Sequence, residues 1–359
     1  MIRGGRTVKG GEDRASVCRV VRPAPLFGRT TTSLFISLLA ALWASPACAA
    51  GPASPLAEDA QPGMAAAEKT LEDAPLWENS LGMRFASVAG LSKVKFCVWE
   101  TRVRDFRAFI QDAAHNRGYD YRSGREPEIL MPHGWQALGW EYHWENPGFR
   151  QDDDHPVTCV SWHDARAFCD WLTRVERAAG RIVPQQRYRL PQDNEWSRAI
   201  GLRVLPSGWL GSFFESRTQA PRFPWGRERT PPPGWGNYAG DETRPDTLYW
   251  WRCLPGYFDG YPRTSPVGVF GPRHGDHCDL GGNVREWTDT KSGVDNEEKG
   301  VRGGSWSNFA TRFLSSSFVD WVSPNTRKSN IGFRVVLETL RPMPVPSSPE
   351  ERNALAGTP

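Results

Sequence analysis

Apolar and polar residues alternate in two short stretches of the chain, residues 83–88 and 333–337. Alternation with a period of two is typical of a strand that buries one face. In the second stretch, the apolar side consists of Phe333, Val335 and Leu337. We therefore predict that the folded region begins and ends in β-sheet.

A third stretch carries apolar residues at every third or fourth position, which is the spacing of an amphipathic helix. The apolar positions are Phe106, Phe109, Ile110 and Ala113. Thr101 is the candidate N-cap of this first predicted helix.

A second helix is predicted from a stronger start signal. Ser161 stands three residues before Asp164, an arrangement that resembles a capping box with Asp in place of the usual Glu. The buried stripe of this helix is predicted to consist of Ala165, Phe168, Trp171 and Leu172.

Composition limits how much regular structure the rest of the chain can hold. The chain contains 35 Gly, 30 Pro and 17 Trp, and beyond Gly201 these residues are too dense for long helices or strands. Aromatic side chains are suited to covering irregular backbone. We predict an α+β fold with little regular secondary structure and much coil.

The charge balance excludes one class of function. Lys and Arg together number 44 and Asp and Glu 41, which gives a formal net charge of +3. Binding to a phosphate backbone requires many uncompensated cations. We therefore predict no nucleic-acid partner.

The first 50 residues have the parts of a secretory signal peptide. Basic residues precede an apolar run from Leu34 to Trp43, and small residues follow, with cleavage predicted near Ala49 or Ala50. The run is shorter than the about 20 apolar residues that span a bilayer, so we predict a secreted or periplasmic protein without a transmembrane anchor. Cys48 offers the alternative of lipid attachment, but the residues before it lack the leucine usual at such sites.

Two stretches of biased composition frame the predicted domain. Residues 51–78 are rich in Ala, Pro, Gly and acidic residues without apolar periodicity, and they are predicted to form a flexible linker. Residues 341–359 have the same character and are predicted to be a disordered tail. Between them we find no break and no repeat, so we predict one domain over 79–340.

Five cysteines remain beyond the predicted signal peptide, at positions 97, 159, 169, 253 and 278. Export permits disulfides, but the odd number leaves at least one thiol unpaired within the chain. The sequence contains no Cys-x-x-Cys pair, so a structural zinc site has little support. We predict buried small apolar residues, with one or two disulfides among them.

Ten short motifs follow one another along the predicted domain. Seven of them lie within residues 79–83, 98–101, 155–162, 188–196, 223–226, 236–239 and 264–268. The other three are Asp279-Leu280-Gly281-Gly282-Asn283-Val284 with Glu286-Trp287, Arg302-Gly303-Gly304-Ser305-Trp306, and Asn330-Ile331-Gly332-Phe333-Arg334. Taken together, and in this order along some 260 residues, they resemble the formylglycine-generating enzyme (sulfatase-modifying factor) family. The resemblance implies an α+β fold related to C-type lectins.

The loop from Asp279 to Glu286 is the candidate calcium site. It places two carboxylates seven residues apart around a Gly-Gly-Asn turn, and hard oxygen ligands on a bent loop suit calcium. The resemblance implies a site made of these two side chains and the carbonyls of Gly282 and Val284. The alternative is that the polar side chains only bind amides of the turn.

The resemblance implies a second calcium site near Asp259 and Tyr261. Asp259 would supply a carboxylate and Tyr261 a carbonyl, with further ligands from Gly240 and Asp241. An ordinary Asp-Gly turn is the alternative.

The family's catalysis depends on two cysteines that bind copper(I) and activate oxygen, which oxidises a substrate cysteine to formylglycine. Copper(I) requires soft thiolate donors. This chain carries Asn308 and Phe313 at the two positions, so we predict that copper is not a cofactor. Ser305 and Asn330 match positions near the family's active site, and Arg285 replaces a tryptophan that is usual there.

These observations leave several functions open. The first hypothesis is a secreted family member that binds a ligand or protein, or has a divergent activity without copper. The second is an enzyme that modifies a sulfatase-like or other exported partner by another mechanism. A structural role at the cell envelope is the third, and the oligomeric state is not predicted.

Overall fold

The computed structural model describes residues 76–202, 222–246, 253–293 and 297–340. The predicted signal peptide, most of the predicted linker and the predicted tail lie outside these residues. The chain divides into two units, Met1–Asp59 and Ala60–Pro359, and every described residue belongs to the second. Within the described residues, no helix has the length and apolar character needed to cross a membrane.

The first sheet contains both ends of the described domain, as predicted. The stretch 333–337 is not one strand, however, because one strand ends at Phe333 and the next begins at Val336 in the other sheet. Its strands, in spatial order, pair antiparallel as β1-β2-β3-β11-β6. In chain order they are β1 (Trp77–Glu78), β2 (Arg84–Val88), β3 (Leu91–Cys97), β6 (Gln186–Arg189) and β11 (Val336–Thr339). The strand at the C-terminal end of the domain therefore lies between β3 and β6.

A second sheet is built from the later part of the chain, in the order β10-β7-β8-β9. Its strands are β7 (Arg285–Lys291), β8 (Lys299–Arg302), β9 (Val319–Val322) and β10 (Ile331–Phe333), and only β10 and β7 pair in parallel. The strands β4 (Glu128–Met131) and β5 (Gly134–Ala137) form a separate hairpin, which the sequence pattern did not predict. Much coil connects these elements, and the predicted α+β class is confirmed.

The helices are α1 (Val103–Gln111), α2 (Trp162–Ala178), α3 (Asp193–Ala199) and the single turn α4 (Thr311–Leu314), with a 3₁₀ helix at Asp241–Asp246. Helix α2 begins as predicted. The Asp164 amide donates to Ser161 Oγ over 3.1 Å, and the Ser161 amide donates to Asp164 Oδ2 over 2.6 Å. These two bonds satisfy amides that would otherwise lack partners at the helix start.

The predicted cap of α1 is wrong by one residue. The N-cap is Arg102, whose amide donates to Asp105 Oδ2 over 3.0 Å. Thr101 remains extended because its amide donates to the Phe333 carbonyl over 2.9 Å. This bond joins the entry of α1 to β10, so tertiary pairing decides where the helix begins.

Aromatic side chains fill the core where α1 and α2 pack on the sheets. Phe106 and Phe168 are fully buried and stack with ring centroids 6.1 Å apart, and Phe333 of β10 meets Phe168 at 5.4 Å. Burying a side chain of this size stabilises the fold by about 1.5–3 kcal/mol. The core therefore fixes both helices against the end of the second sheet.

Arg334 lies where the chain passes from β10 in the second sheet to β11 in the first. The side chain is fully buried, and its Nη1 donates to the carbonyls of Cys97 and Val98 over 3.0 and 2.8 Å. Its Nη2 donates to Glu286 Oε1 and to the Cys278 carbonyl, both over 2.8 Å. One guanidinium thus connects β7 of the second sheet to the end of β3 in the first.

All five cysteines beyond residue 50 are buried thiols, and none is in a disulfide. The prediction of burial is confirmed, and the prediction of one or two disulfides is wrong in this structure. Burial raises the pKa of the Cys97, Cys159 and Cys278 thiols to about 12. Because the thiolate is the metal ligand and nucleophile, burial disfavours the reactive form of these three thiols.

Candidate functional site

A cavity of about 280 Å³ lies between the β4–β5 hairpin, the loop that follows β8 and the first residue of β7. Two main-chain hydrogen bonds hold the hairpin beside the segment at residues 327–329. The Glu128 amide donates to the Arg327 carbonyl, and the Ser329 amide donates to the Glu128 carbonyl. The lining residues are Leu130, Met131, Trp135, Ala239, Thr243, Arg263, Arg285, Trp306, Ser307, Asn308, Phe309, Phe313, Asp320, Lys328 and Asn330.

The structure brings the five predicted pocket residues together. Arg285, Asn308, Phe313 and Asn330 line the cavity, and Ser305 lies buried behind Asn308. Ser305 Oγ donates to Asn308 Oδ1 over 2.8 Å and accepts from Asn330 Nδ2 over 3.2 Å. The amide at position 308 is therefore held in a hydrogen-bonded network beside the cavity.

Phe313 forms part of an apolar wall. The centroids of the Phe313 and Phe318 rings lie 5.2 Å apart in an edge-to-face arrangement. The hairpin contributes Leu130 and Trp135 to the lining of the cavity. The sequence did not single out the hairpin residues, because no pattern near them predicts which distant loop they face.

Two ion pairs are present at the cavity, and a further cation, Arg263, lies 4.9 Å from the centre of the Trp306 ring. Arg285 Nη1 lies 2.9 Å from Asp320 Oδ2, and Lys328 Nζ lies 3.1 Å from Glu128 Oε2. No cysteine or histidine is among the lining residues that the structure describes. The cavity therefore offers no thiolate for copper and no histidine as a general base.

Close packing shapes the predicted calcium loop. A Cβ on Gly281 would lie 2.3 Å from Pro224 Cγ, and one on Gly282 would lie 2.9 Å from the Asn237 carbonyl oxygen. Asp279 and Asn283 adopt positive φ angles of 59° and 60°, which aspartate and asparagine tolerate better than most residues. The loop thus needs glycine at positions 281 and 282, and its two bends favour Asp or Asn.

Glu100 is a site residue that the sequence reasoning missed. It is fully buried, and neither carboxylate oxygen has a hydrogen-bond partner among the described residues. Burial, followed by the neighbouring Asp279 carboxylate, raises the pKa of Glu100 well above its usual range. The available signal was its place in the motif at residues 98–101.

Asp279 is a second buried carboxylate with an oxygen that lacks a hydrogen-bond partner among the described residues. Its Oδ2 accepts from the Gly268 amide over 2.6 Å, but Oδ1 is buried without a partner among the described residues. Burial raises the pKa of Asp279 to about 6. Two underpaired carboxylates in one buried region fit the oxygen donor set of a hard cation.

Glu286, the other predicted carboxylate ligand, is already well paired. Its Oε1 accepts from Arg334 Nη2 over 2.8 Å and its Oε2 accepts from Trp196 Nε1 over 2.9 Å. Within the described chain, no group of three or more His, Cys, Asp or Glu side chains is arranged to hold a metal ion. A cation here would therefore need main-chain carbonyls, as predicted for Gly282 and Val284, or water.

The second predicted calcium site contains a turn whose carboxylate is satisfied by amides. Asp259 Oδ2 accepts from the Tyr238 amide over 2.8 Å, and Oδ1 accepts from the Tyr261 amide over 2.9 Å. Asp241 Oδ2 accepts from the Gly256 amide over 3.1 Å. Asn237 Oδ1 is a buried oxygen without a partner among the described residues. These contacts agree with the Asp-Gly turn that was the alternative.

Comparison with known proteins identifies relatives of this domain. A sequence model of the sulfatase-modifying factor enzyme 1-like domain matches residues 93–339. The mouse protein named inactive C-alpha-formylglycine-generating enzyme 2 is 29% identical over 271 aligned residues, covering 67% of this chain and 73% of that protein. The formylglycine-generating enzyme of Thermomonospora curvata is 31% identical over 161 residues, covering 43% of this chain and 40% of that enzyme.

Among solved structures, that of CarF matches with a TM-score of 0.43 and 23% identity. The match covers 69% of this chain and 87% of the CarF chain. The range 93–339 includes every residue that lines the cavity and the whole loop from Asp279 to Glu286.

Proposed function

Because the chain belongs to the sulfatase-modifying factor enzyme 1-like family, we propose that it binds a polypeptide or small ligand in the cavity and does not oxidise cysteine with copper. The observation that carries this proposal is the pair Asn308 and Phe313 at the cavity wall. An amide and a phenyl ring supply neither soft donors nor a redox-active thiol pair. The mouse relative that carries the word inactive in its name supports the same proposal.

Purified protein is expected to bind no copper(I) at this cavity. The measurement is a competition titration against a chromophoric copper(I) chelator at pH 7, with the relative from Thermomonospora curvata as the positive control. The five cysteines beyond residue 50 are buried and do not line the cavity, so a variant at the cavity separates binding there from binding at a cysteine. Stoichiometric copper(I) binding that the Asn308→Ala variant abolishes would contradict the proposal.

We further propose that calcium stabilises the fold by binding at the loop from Asp279 to Glu286. Glu100 and Asp279 would provide the underpaired carboxylate oxygens, and Gly282 and Val284 would provide carbonyls. Calcium supplies positive charge and no redox chemistry. Its role would be to neutralise the buried carboxylates and join the loop to the residues that follow β3.

Glu100→Gln is expected to change stability in opposite directions with and without calcium. In a chelator the variant should be at least as stable as the wild type, because it removes a buried carboxylate with no partner. With calcium at a hundredfold excess over its Kd, the wild type should gain about 2.7 kcal/mol and the variant much less. The measurement is urea unfolding in both conditions.

A calcium gain of equal size in wild type and Glu100→Gln would remove Glu100 from the proposed site. Glu78→Gln is the matched control, because Glu78 is an exposed carboxylate paired with Arg84. This control should keep the full calcium response.

The proposed partners are exported polypeptides, with sulfatase-like proteins as one class. This follows from the signal-peptide pattern in residues 1–50 and from the family's action on cysteine side chains of other proteins. A binding protein without oxidase chemistry could select the same kind of segment and hold it unchanged.

A further inference from the structure

Arg285 is a buried guanidinium whose hydrogen-bond donors are largely unused. The residue is 6% exposed and lines the cavity. Its Nη1 donates to Asp320 Oδ2 over 2.9 Å, and its Nη2 reaches the Val301 carbonyl only at 3.5 Å. Its Nε has no partner among the described residues. Because a guanidinium has five N–H donors, this side chain has capacity for a further acceptor.

Asp320 is a partner that a ligand can replace. It belongs to β9, the edge strand of the second sheet, and its side chain is 39% exposed. Because the Asp320 carboxylate is already open to water, it can be hydrated when a ligand displaces it, whereas the buried Arg285 needs a replacement anion. A carboxylate brought by a ligand would therefore find Arg285 available, with Asp320 turning to solvent.

Two other cations line the cavity, Arg263 and Lys328. Arg263 lies 4.9 Å from the centre of the Trp306 ring and donates from Nη1 to the Pro262 carbonyl over 2.8 Å. Lys328 Nζ is paired with Glu128 at 3.1 Å and lies 5.0 Å from the centre of the Trp135 ring. A planar guanidinium also matches a carboxylate better than an ammonium does, because it can donate two parallel hydrogen bonds. Arg285 is therefore favoured over Lys328 as the anion ligand. Its place beside Asn330 favours it over Arg263.

The rest of the cavity favours an apolar group attached to that anion. Leu130, Trp135, Trp306 and Phe313 contribute apolar surface. A cavity of about 150 Å³ holds a benzene molecule. The volume of about 280 Å³ therefore has room for an aromatic or branched side chain together with a carboxylate.

Asn330 adds an unused acceptor beside Arg285. Its Nδ2 donates to Ser307 Oγ over 2.8 Å, while its Oδ1 is buried and has no partner among the described residues. The two residues are neighbours, because the Arg285 amide donates to the Asn330 carbonyl over 3.0 Å. A ligand with an N–H close to its carboxylate would satisfy both side chains.

We propose that the cavity binds the carboxylate end of an N-acylated apolar amino acid. This chemistry occurs at the C-terminus of a polypeptide and in a free N-acyl amino acid. Arg285 binds the carboxylate, Asn330 accepts the N–H, and the apolar wall contacts the side chain. The inference rests on the proposed function, in which the cavity is a binding site.

The direct test compares two forms of one peptide on the wild-type protein. An acetylated pentapeptide that ends in phenylalanine is measured by calorimetry as the free acid and as the C-terminal amide. The acid is expected to bind at least tenfold more tightly, which corresponds to about 1.4 kcal/mol. N-acetylphenylalanine is the third ligand. Equal affinity with the acid peptide assigns the site to small acids, and weaker binding assigns it to polypeptide ends.

Two variants at the cavity should act in opposite directions. Arg285→Gln should weaken binding of the acid at least tenfold and leave the amide nearly unchanged. Asp320→Asn should tighten binding of the acid several-fold, because it removes the competing carboxylate. Arg104→Gln is the control, since Arg104 forms an exposed ion pair with Asp154 and does not line the cavity.

Equal binding of acid and amide, or no binding of either at millimolar concentration, would overturn the inference. That failure is separate from failure of the proposed function, which is judged by copper(I) binding. The wild-type comparison of acid and amide and the Asp320→Asn variant keep the inference testable even where Arg285→Gln does not fold.

Discussion

A cysteine peptide is expected to remain unoxidised when the purified protein is supplied with copper(I), oxygen and a reductant. The cavity wall presents Asn308 and Phe313, and no thiol lies among the described lining residues. Cys278 is the thiol nearest in sequence to the loop from Asp279 to Glu286, but it packs with Ala86 and Val98, and burial raises its pKa to about 12. The measurement is mass spectrometry of a Cys-x-Pro-x-Arg peptide for conversion of thiol to aldehyde.

Turnover that survives Cys278→Ser would show that our interpretation of the cavity is wrong. The converse experiment restores the soft donors with Asn308→Cys and Phe313→Cys together. Recovered copper(I) binding would mean that only the ligands differ from the oxidases of the family. Absence of copper(I) binding would mean that the residues around the two positions also differ from those of the oxidases. Adding Arg285→Trp to the double variant then tests the position at which a tryptophan is usual in the family.

Glu286→Gln is expected to reduce the free energy of unfolding by about 3–5 kcal/mol, because it leaves a buried guanidinium without its carboxylate. Arg334 is fully buried, and Glu286 is its ion-pair partner at 2.8 Å. Its remaining acceptors are main-chain carbonyls, which do not balance the charge. The measurement is urea unfolding at pH 7 in a chelator, so that loss of calcium cannot account for the result.

The matched control for this variant is Glu78→Gln, which breaks the ion pair with Arg84. Those side chains are 53% and 52% exposed, and an exposed pair contributes about 0–1 kcal/mol. A loss of similar size in both variants would show that burial of Arg334 does not decide the cost.

Sequence reasoning succeeded where neighbouring residues determine the structure. The start of α2 depends on Ser161 and Asp164, which are three residues apart, and the predicted capping bonds are present. The resemblance to a family placed Ser305, Asn308 and Asn330 near one pocket, and the structure joins them by hydrogen bonds.

Reasoning from the sequence failed where partners are far apart along the chain. Arg334 and Cys97 are separated by 237 residues, and the Asp279 carboxylate that raises the pKa of Glu100 lies 179 residues further along the chain. No local period encodes such contacts. The predicted N-cap of α1 was wrong for the same reason, because the Thr101 amide donates to the carbonyl of the distant Phe333 in β10.

The position of β11 in the first sheet has a consequence for how the chain acquires its structure. β11 is inserted between β3 and β6, so that sheet cannot close until the C-terminal end of the domain is available. Until then β3 and β6 would each present an unpaired edge, which favours association with other chains. Pairing of such distant segments is also slow. A nascent chain would therefore need protection from aggregation until synthesis has passed residue 339, and any truncation before Val336 would leave both edges open permanently.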